Sequence, residues 1–372
     1  MKKLLLPILL LLLFLSACGS TNEASETPVD SSNGNDSGET EKLTIFTTVY
    51  PLTYFTERIG GDLVEVESIY PAGSNEHTYE PTQQDMIALA EADAMFYIGM
   101  GLEGFIDSAQ KTLENEKVKF VATADAIPED ALGEGHSHDH EHEATEEHSH
   151  DHGDEAAEEH SHDHEHEATE EHDHNHENEA TEEHDHEHEA AEGHDHSHGS
   201  LDPHVWISPV LSQQLAESIK NELIEQDSEN AEVYEANYAA LVEELQALDE
   251  SFQETADAAA NGTFFVSHAA FGYIADTYGL EQVAVAGLNS QDEPSQKELT
   301  AIVDQAKELG IEYVAFEQNV SSKLTEVIQQ EIGAEAVQLH NLGVLTDEDI
   351  DNGETYFTLM EENRKTLEKI LN

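Results

Sequence analysis

Histidine is the residue whose number and spacing in this 372-residue chain most directly suggest chemistry. Of its 24 His, 20 lie between residues 133 and 199, and the other four are His77, His204, His268 and His340. Neutral imidazole is a good ligand for zinc, copper and nickel. A single His is more often structural than functional, so the residues around each one decide which interpretation is favoured.

Three of the four isolated His stand beside predicted elements in a way that favours a binding site. His77 lies in a polar loop after a predicted strand, and His268 directly follows another predicted strand. His204 stands just before a helix that Ser208 caps and Pro209 begins. In open α/β sheets, ligands bind beyond the carboxyl ends of the strands. These three His, which come from both halves of the chain, are therefore able to converge in one cleft.

The segment 133–199 is a low-complexity, His- and acid-rich insert with 26 acidic residues and no Lys or Arg. The octapeptide EHEATEEH occurs at 141–148 and again at 165–172. Without apolar residues larger than Ala over 134–198, it is predicted to be disordered without ligand and to bind metal at many weak, exchanging sites. An acidic spacer and a pH sensor are the alternatives. The predicted auxiliary ligands are His136, His138, His140, His142, His148, His150, His152, His160, His162, His164, His166, His172, His174, His176, His184, His186, His188, His194, His196 and His198.

The charge and cysteine content exclude several classes of protein. The formal net charge is −68, and the chain without the insert still has 56 acidic residues against 14 basic ones. Such a polyanion repels nucleic acid backbones, so nucleic-acid binding is not expected. The single Cys excludes an internal disulfide framework and a Cys-rich zinc module.

The N-terminal residues predict export and a lipid anchor. Residues 1–17 have a basic start and a twelve-residue apolar run, Leu4–Leu15, which is shorter than the about 20 residues that span a bilayer. Small residues then precede Cys18, as in the signal of a bacterial lipoprotein. We predict that 1–17 is a signal peptide and that 18–41 is a lipidated Cys followed by a flexible tether. An ordinary secretory signal with a chance Cys is the alternative.

The rest of the chain alternates between strand-like and helix-like segments, which predicts an α/β fold of two βα lobes, each with a mostly parallel sheet. The predicted strands are 43–50, 64–70, 94–98, 118–122, 263–267, 282–286, 312–316 and 335–339. We assign 42–228 to an N-terminal lobe that contains the insert, 229–260 to a linking helix and 261–372 to a C-terminal lobe. The linking helix has apolar residues spaced 4, 3, 4, 3, 4 from Tyr234 to Phe252, which indicates a rigid strut across two lobes or a coiled-coil strand.

Six segments of the chain are recognisable motifs, namely TVYPLTYF, HTYEP, AEADAMFYIG, LDPHVWISP, SHAAFGY and YFTLMEEN. They resemble the zinc-type solute-binding lipoproteins of ABC importers, the ZnuA and AdcA group of the cluster 9 (A-I) family. An acidic, His-rich loop before the DPHVW segment is also a mark of the zinc branch. The resemblance covers about residues 42–372 outside the insert, and it implies two βα lobes, a long backbone helix and metal held between the lobes.

The resemblance implies that His77, His204 and His268 are the metal ligands. Manganese and iron members of the family tend to carry a carboxylate at the position of His268. Because imidazole suits zinc and carboxylate suits harder ions, Zn²⁺ is the expected cargo. Zinc members often supply a fourth ligand from a Glu shortly after the final strand, where this chain has Gly343.

The fourth ligand is therefore open at this point. Glu76, a water molecule and Asp347 can each complete a tetrahedron, and His340 is expected to be structural.

The residues next to the candidate ligands in the sequence also have two interpretations each. Trp206, Phe271 and Tyr273 either shield the metal from water or simply pack, and Glu80 either orients the loop of His77 or has no such role.

The expected function is that of an extracytoplasmic, lipid-anchored, monomeric protein on the outer face of the cell membrane. It would capture Zn²⁺ with high affinity and deliver it to a membrane permease driven by an ATPase, with the insert collecting or sensing zinc. An enzyme is not expected, because HExxH pairs, nucleophile elbows and Gly-rich phosphate loops are missing from the sequence. The alternatives are manganese binding on the same fold, and a surface metal buffer or adhesin that acts through the repeats.

Overall fold

The computed structural model describes residues 42–133, 201–318 and 322–372. The predicted signal peptide, the tether with Cys18 and the His-rich insert lie outside these residues. Within them, none of the helices has the length and apolar character that spanning a membrane requires.

The first sheet has four parallel strands in the order β2-β1-β3-β4. Its strands are β1 (Leu43–Thr47), β2 (Val64–Ser68), β3 (Ala94–Tyr97) and β4 (Lys119–Ala122), and its helices are α1 (Tyr50–Gly60), α2 (Gln83–Glu91) and α3 (Ile106–Thr112). Helix α1 has a Pro in its first turn, where the missing N–H costs no hydrogen bond. Helix α2 begins with a capping box between Thr82 and Asp85, which satisfies two backbone donors.

Two long helices follow the first sheet, α4 (Pro209–Gln226) and α5 (Ala231–Asp257). Helix α4 begins as predicted, since Pro209 is its first residue and the Ser208 hydroxyl accepts a hydrogen bond from the backbone N–H of Leu211. The apolar stripe of α5 is buried at Tyr234, Leu241, Leu245, Leu248 and Phe252.

The second sheet repeats the topology of the first, with four parallel strands in the order β6-β5-β7-β8. Its strands are β5 (Thr263–His268), β6 (Glu281–Ala286), β7 (Tyr313–Phe316) and β8 (Glu335–Gln338), and its helices are α6 (Gly272–Tyr278), α7 (Gln296–Leu309), α8 (Lys323–Ile332), α9 (Asp347–Asn352) and α10 (Tyr356–Leu371). In both sheets the strand order reverses beside the first strand, so β1/β3 and β5/β7 are the points where a ligand is expected.

Helix α5 connects the two lobes through packing as well as through the chain. It contacts α1 and α4, which flank the first sheet, and α6 and α10, which belong with the second. One apolar cluster includes residues of both sheets and of α5, and a smaller cluster lies under α7 and α8. The stripe of α5 is therefore buried against helices of its own chain, which agrees with the strut interpretation rather than with a coiled-coil strand.

The fold class predicted from the sequence, two βα lobes with parallel sheets and a long helix, is confirmed. The differences are local. The first strand ends at Thr47 rather than Tyr50, because α1 starts at Tyr50 with Val49 as its N-cap residue. Three short helices were not predicted from the sequence: α3 and α6, with seven residues each, and α9, with six. Fewer than two turns contain too few apolar positions to reveal a helical period.

Candidate metal centre

The side chains of His77, His204 and His268 meet between the two lobes. One ligand atom from each lies within 4.8 Å of the others, and this is the group of three possible metal ligands found among the described residues. The ring centroids are 5.2 Å apart for His77–His204, 5.1 Å for His77–His268 and 4.8 Å for His204–His268. The chain therefore brings together the three His that the sequence singled out.

The Nε2 atoms of His77 and His204 are 3.3 Å apart. Two nitrogens on a tetrahedral Zn²⁺, each about 2.0–2.1 Å from the ion, are separated by roughly 3.3–3.4 Å. The observed distance thus equals one edge of such a tetrahedron. This distance suits a small cation bound by both nitrogens.

The loop between β2 and α2 positions His77. The side-chain oxygen of Asn75 accepts hydrogen bonds from the backbone N–H of His77 and the hydroxyl of Thr78. Asn75 also donates through its side chain to the hydroxyl of Ser290 in the second lobe, at 3.0 Å. A short polar side chain that bonds the backbone two residues on is a common way to fix a turn. His77 is half-buried, so it is the most exposed of the three His.

Asp202 orients His204. One Asp202 oxygen accepts hydrogen bonds from both the backbone N–H and Nδ1 of His204, at 2.9 and 2.8 Å. The proton of the buried imidazole is therefore on Nδ1, and Nε2 carries the lone pair that a metal needs. The Asp202 carboxylate also lies close to the backbone of Gly272. A Cβ atom at position 272 would lie 2.8 Å from an Asp202 oxygen, so a residue with a side chain would not fit there without a shift. The hydroxyl of Tyr273 donates to the backbone oxygen of Asp202.

Glu317 orients His268 at the carboxyl ends of β5 and β7. His268 is the last residue of β5, and its Nδ1 lies 3.0 Å from a Glu317 oxygen. Its Nε2 lies 2.9 Å from the backbone oxygen of Leu288. Because both neighbours are acceptors, both ring nitrogens donate, which is the hydrogen-bonding pattern of an imidazolium.

The pKa values agree with this pattern. Burial alone would lower the pKa of His268, but the Glu317 charge and the hydrogen bonds to Glu317 and Leu288 raise it to about 9. Burial and the nearby His204 and His268 lower the pKa of His77 to about 2. At neutral pH, the His77 imidazole is therefore neutral, whereas the His268 imidazole carries an additional proton.

Glu76 lies beside the three His but outside the group defined by the 4.8 Å limit. Its side chain is 2% exposed, and burial, followed by the charge of Glu317, raises its pKa. One oxygen accepts a 2.9 Å hydrogen bond from the Asn341 amide. The other oxygen is buried and has no hydrogen-bond partner among the described residues. A buried carboxylate oxygen without a partner is costly, and a bound cation would satisfy it.

Asp347, another candidate for the fourth position, and His340, which was expected to be structural, are not in this group of possible metal ligands. Asp347 is exposed in the first turn of α9. His340 is buried, accepts a hydrogen bond at Nδ1 from the backbone N–H of Leu342, and its Nε2 lies 3.2 Å from Asp349. These contacts give His340 a structural role in the turn after β8.

The aromatic residues near the His cluster are buried, and the centroid of the Trp206 ring lies 5.3 Å from that of the His204 ring. Trp206 and Phe271 are fully buried, and the Trp206 indole donates to the backbone oxygen of Asn341. Tyr273 is 5% exposed. Glu80 is exposed, and Asn75 is the residue that fixes the loop of His77.

The sequence did not single out Asp202, Glu317 or Asn341 as parts of the site. Asp202 stands two residues before His204, a spacing that suggests a bond back to the backbone. Glu317 comes directly after the predicted strand 312–316, so its place at the end of that strand was a usable signal. The contact of Asn341 with Glu76 joins residues far apart in the chain and had no local signal.

Comparison with known proteins gives the same picture over most of the chain. Residues 45–370 match the ZnuA family model, described as "Zinc-uptake complex component A periplasmic". The chain is 33% identical to the zinc-binding lipoprotein AdcA of Streptococcus pneumoniae over 371 residues, which are 99% of this chain but only 61% of that protein. It is 31% identical to the high-affinity zinc uptake system protein ZnuA of Bacillus subtilis, over 96% of this chain and 94% of that protein.

A solved structure has the same fold. The crystal structure of the Zn(II)-bound ZnuA-like domain of Streptococcus pneumoniae AdcA superposes with a TM-score of 0.63 and 29% identity, over 89% of this chain and 99% of that one. Because the family model matches most of the chain, the chain belongs to the ZnuA family, the periplasmic components of zinc-uptake complexes.

Proposed function

We propose that this chain is the extracytoplasmic zinc-binding protein of an ABC transporter, and that it captures one Zn²⁺ with His77, His204 and His268. The main support for the proposal is that three imidazoles converge. The Nε2 atoms of two of them, His77 and His204, are separated by the length of one edge of a zinc tetrahedron. Three nitrogen ligands favour zinc over manganese, which prefers oxygen.

The residues around the cluster prepare it for a cation. Asp202 holds His204 in the tautomer that exposes Nε2. Zinc displaces the proton on Nε2 of His268 and replaces the contact with the Leu288 oxygen, while Glu317 retains Nδ1–H. Glu76 completes the tetrahedron through its unpartnered oxygen after a small movement of the side chain.

The His-rich insert supplies zinc to this site in our proposal. The described residues that flank it lie together, because the backbone N–H of Asp202 lies 3.4 Å from the backbone oxygen of Gly133. The insert therefore leaves and re-enters the folded chain beside the residue that orients His204. Ions held weakly by its imidazoles raise the local zinc concentration at the cleft.

The remaining parts of the proposal concern location and partners. Cys18 carries the lipid that holds the protein on the outer face of the cell membrane, and a monomer delivers zinc to a permease driven by an ATPase. The chain acts as a binding protein rather than an enzyme, which the description of its family as a component of a zinc-uptake complex supports.

The test is a competition titration of zinc and manganese against a chelator, with and without residues 134–200. The contact between Gly133 and Asp202 means that the deletion joins ends that are already adjacent. We expect one tight zinc site to survive the deletion, to be lost with His204→Ala and to be retained with Glu331→Gln, a control that changes an exposed carboxylate. Loss of all tight binding on deletion would assign the function to the repeats, and tighter manganese binding would reassign the cargo.

A further inference from the structure

Gly343 leaves a space that the Glu76 carboxylate fills. A Cβ at position 343 would lie 2.7 Å from one Glu76 oxygen and 2.8 Å from its carboxyl carbon. Real Cβ atoms do not approach heavy atoms this closely, so any other residue would displace the carboxylate. Gly343 does not have a positive φ, unlike its neighbour Leu342. The backbone conformation therefore does not require Gly here, and the close approach of Glu76 does.

Asn341 fixes the carboxylate in that space. Its amide nitrogen donates to Glu76 at 2.9 Å and to Glu317 at 2.8 Å. Its side-chain oxygen accepts from the backbone N–H of Gly343 and from the amide of Gln318. Because the amide nitrogen of Asn341 faces two carboxylates and its oxygen faces two N–H groups, the orientation of the amide is determined. The Asn341 side chain thus links Glu317, which bonds His268, to Glu76, which precedes His77 in the chain.

The turn that presents these two residues is strongly held. Leu342 is fully buried and has φ of 59°, a conformation that costs free energy for a residue with a side chain. The neighbouring His340 compensates for this cost. It accepts from the backbone N–H of Leu342, and its own backbone N–H and C=O both bond to the side chain of Asn363. A strained turn retained by this many contacts is typical of a functional position.

From this geometry we propose that Asn341 and Gly343 are positioning residues that place the Glu76 carboxylate as the fourth ligand of the metal. The inference rests on the proposed zinc function. Asn341 occupies one oxygen of Glu76, Gly343 makes room for the carboxyl group, and the unpartnered oxygen remains for the cation. The loop after β2 then supplies two consecutive ligands, Glu76 and His77. The second lobe, through Asn341 and Gly343, holds the Glu76 carboxylate in place.

The first test needs no metal. Gly343→Ala and Glu76→Ala are combined in a double-mutant cycle on the metal-free protein, with urea unfolding as the measurement. We expect Gly343→Ala to lower the unfolding midpoint in the wild-type background and to leave it unchanged, or raise it, in the Glu76→Ala background. Gly262→Ala is the matched control, because a Cβ there meets nothing within 4 Å. An equal loss in both backgrounds would overturn the proposed contact.

The second test separates positioning from simple folding. Asn341→Leu and Gly343→Ala are each expected to lower zinc affinity about 10–100-fold, as loss of a residue that orients a ligand commonly does. Neither is expected to lower it further in the Glu76→Ala background. With Co²⁺ as the probe, all three single variants are expected to shift the d–d absorption bands in the same way, because each removes the same oxygen ligand.

The outcomes distinguish this inference from the proposed function. Unchanged Co²⁺ spectra in the three variants, with one tight zinc site that still depends on His204, would leave the three-His site intact and refute the role of Glu76, Asn341 and Gly343. Absence of any His204-dependent zinc site in the wild-type protein would instead refute the proposed function itself.

Discussion

Zinc binding is expected to release about one proton near pH 7.5, and that proton comes from His268. Its two ring nitrogens both face acceptors, the Glu317 carboxylate and the Leu288 oxygen, and its pKa is raised to about 9. Because zinc binds only neutral imidazole, the ion and this proton compete. Apparent zinc affinity should therefore rise with pH until about pH 9 and then level off.

The size of the effect follows from the shift in pKa. A change from 6.5 to about 9 corresponds to roughly 3 kcal/mol, at 1.36 kcal/mol per unit. An imidazole with an ordinary pKa of about 6.5 is only about one-tenth protonated at pH 7.5, so it would release about 0.1 proton. The apparent affinity should fall about tenfold for each unit below pH 9, or about 100-fold by pH 7.

The assay is calorimetric titration of zinc in buffers that differ in ionisation enthalpy, which counts the protons released. The perturbing variant is Glu317→Gln, which removes the charge that opposes the effect of burial on the His268 pKa. We expect its proton release at pH 7.5 to fall close to zero. Glu331→Gln, which changes an exposed carboxylate bonded to Lys307, is the control and should release about one proton.

Wild-type protein that releases no proton on binding zinc at pH 7.5 would refute the doubly hydrogen-bonded His268 and with it this explanation of the pH dependence.

The same pKa shift affects the folding stability of the metal-free protein, which should fall with rising pH whereas zinc affinity should increase. A folded-state pKa above the unfolded value gives stability that is complete below about pH 6.5 and is lost as pH rises through about 9.

Three further substitutions test the surrounding structure. Asp202→Asn should weaken zinc binding about 10–100-fold in a competition titration, and unchanged affinity would mean that this carboxylate does not orient His204. Ser208→Ala should cost about 1 kcal/mol of unfolding free energy in urea, because the first turn of α4 loses its cap at Leu211; a loss below about 0.3 kcal/mol would disprove the cap. Leu245→Ala, in the buried stripe of α5, should cost about 2–5 kcal/mol, whereas the exposed Gln246→Ala should cost almost nothing, and equal losses would contradict the strut.

The fold was largely predictable because its determinants are local. Alternating apolar strands and amphipathic helices are visible within windows of about ten residues, and the stripe of α5 extends over several turns. The capped start of α4 was also readable, since Ser208 and Pro209 act within one turn. The short helices α3, α6 and α9 were missed because they lack enough residues to show a period.

The candidate metal site was only partly predictable. His77, His204 and His268 were found because each stands at the end of an element where α/β folds bind ligands. The carboxylates that orient them act across longer distances, as Glu317 does on His268 between neighbouring strands. The contact of Glu76 with Gly343 depends on how two lobes meet, and local sequence patterns do not contain that information.

The most direct test of the central claim is anomalous diffraction at the zinc edge from crystals of the zinc-loaded protein. The account predicts one dominant peak between the lobes, about 2.0–2.1 Å from the Nε2 atoms of His77, His204 and His268. A zinc peak that contacts fewer than three of these imidazoles, or a loaded protein without a peak between the lobes, would contradict it.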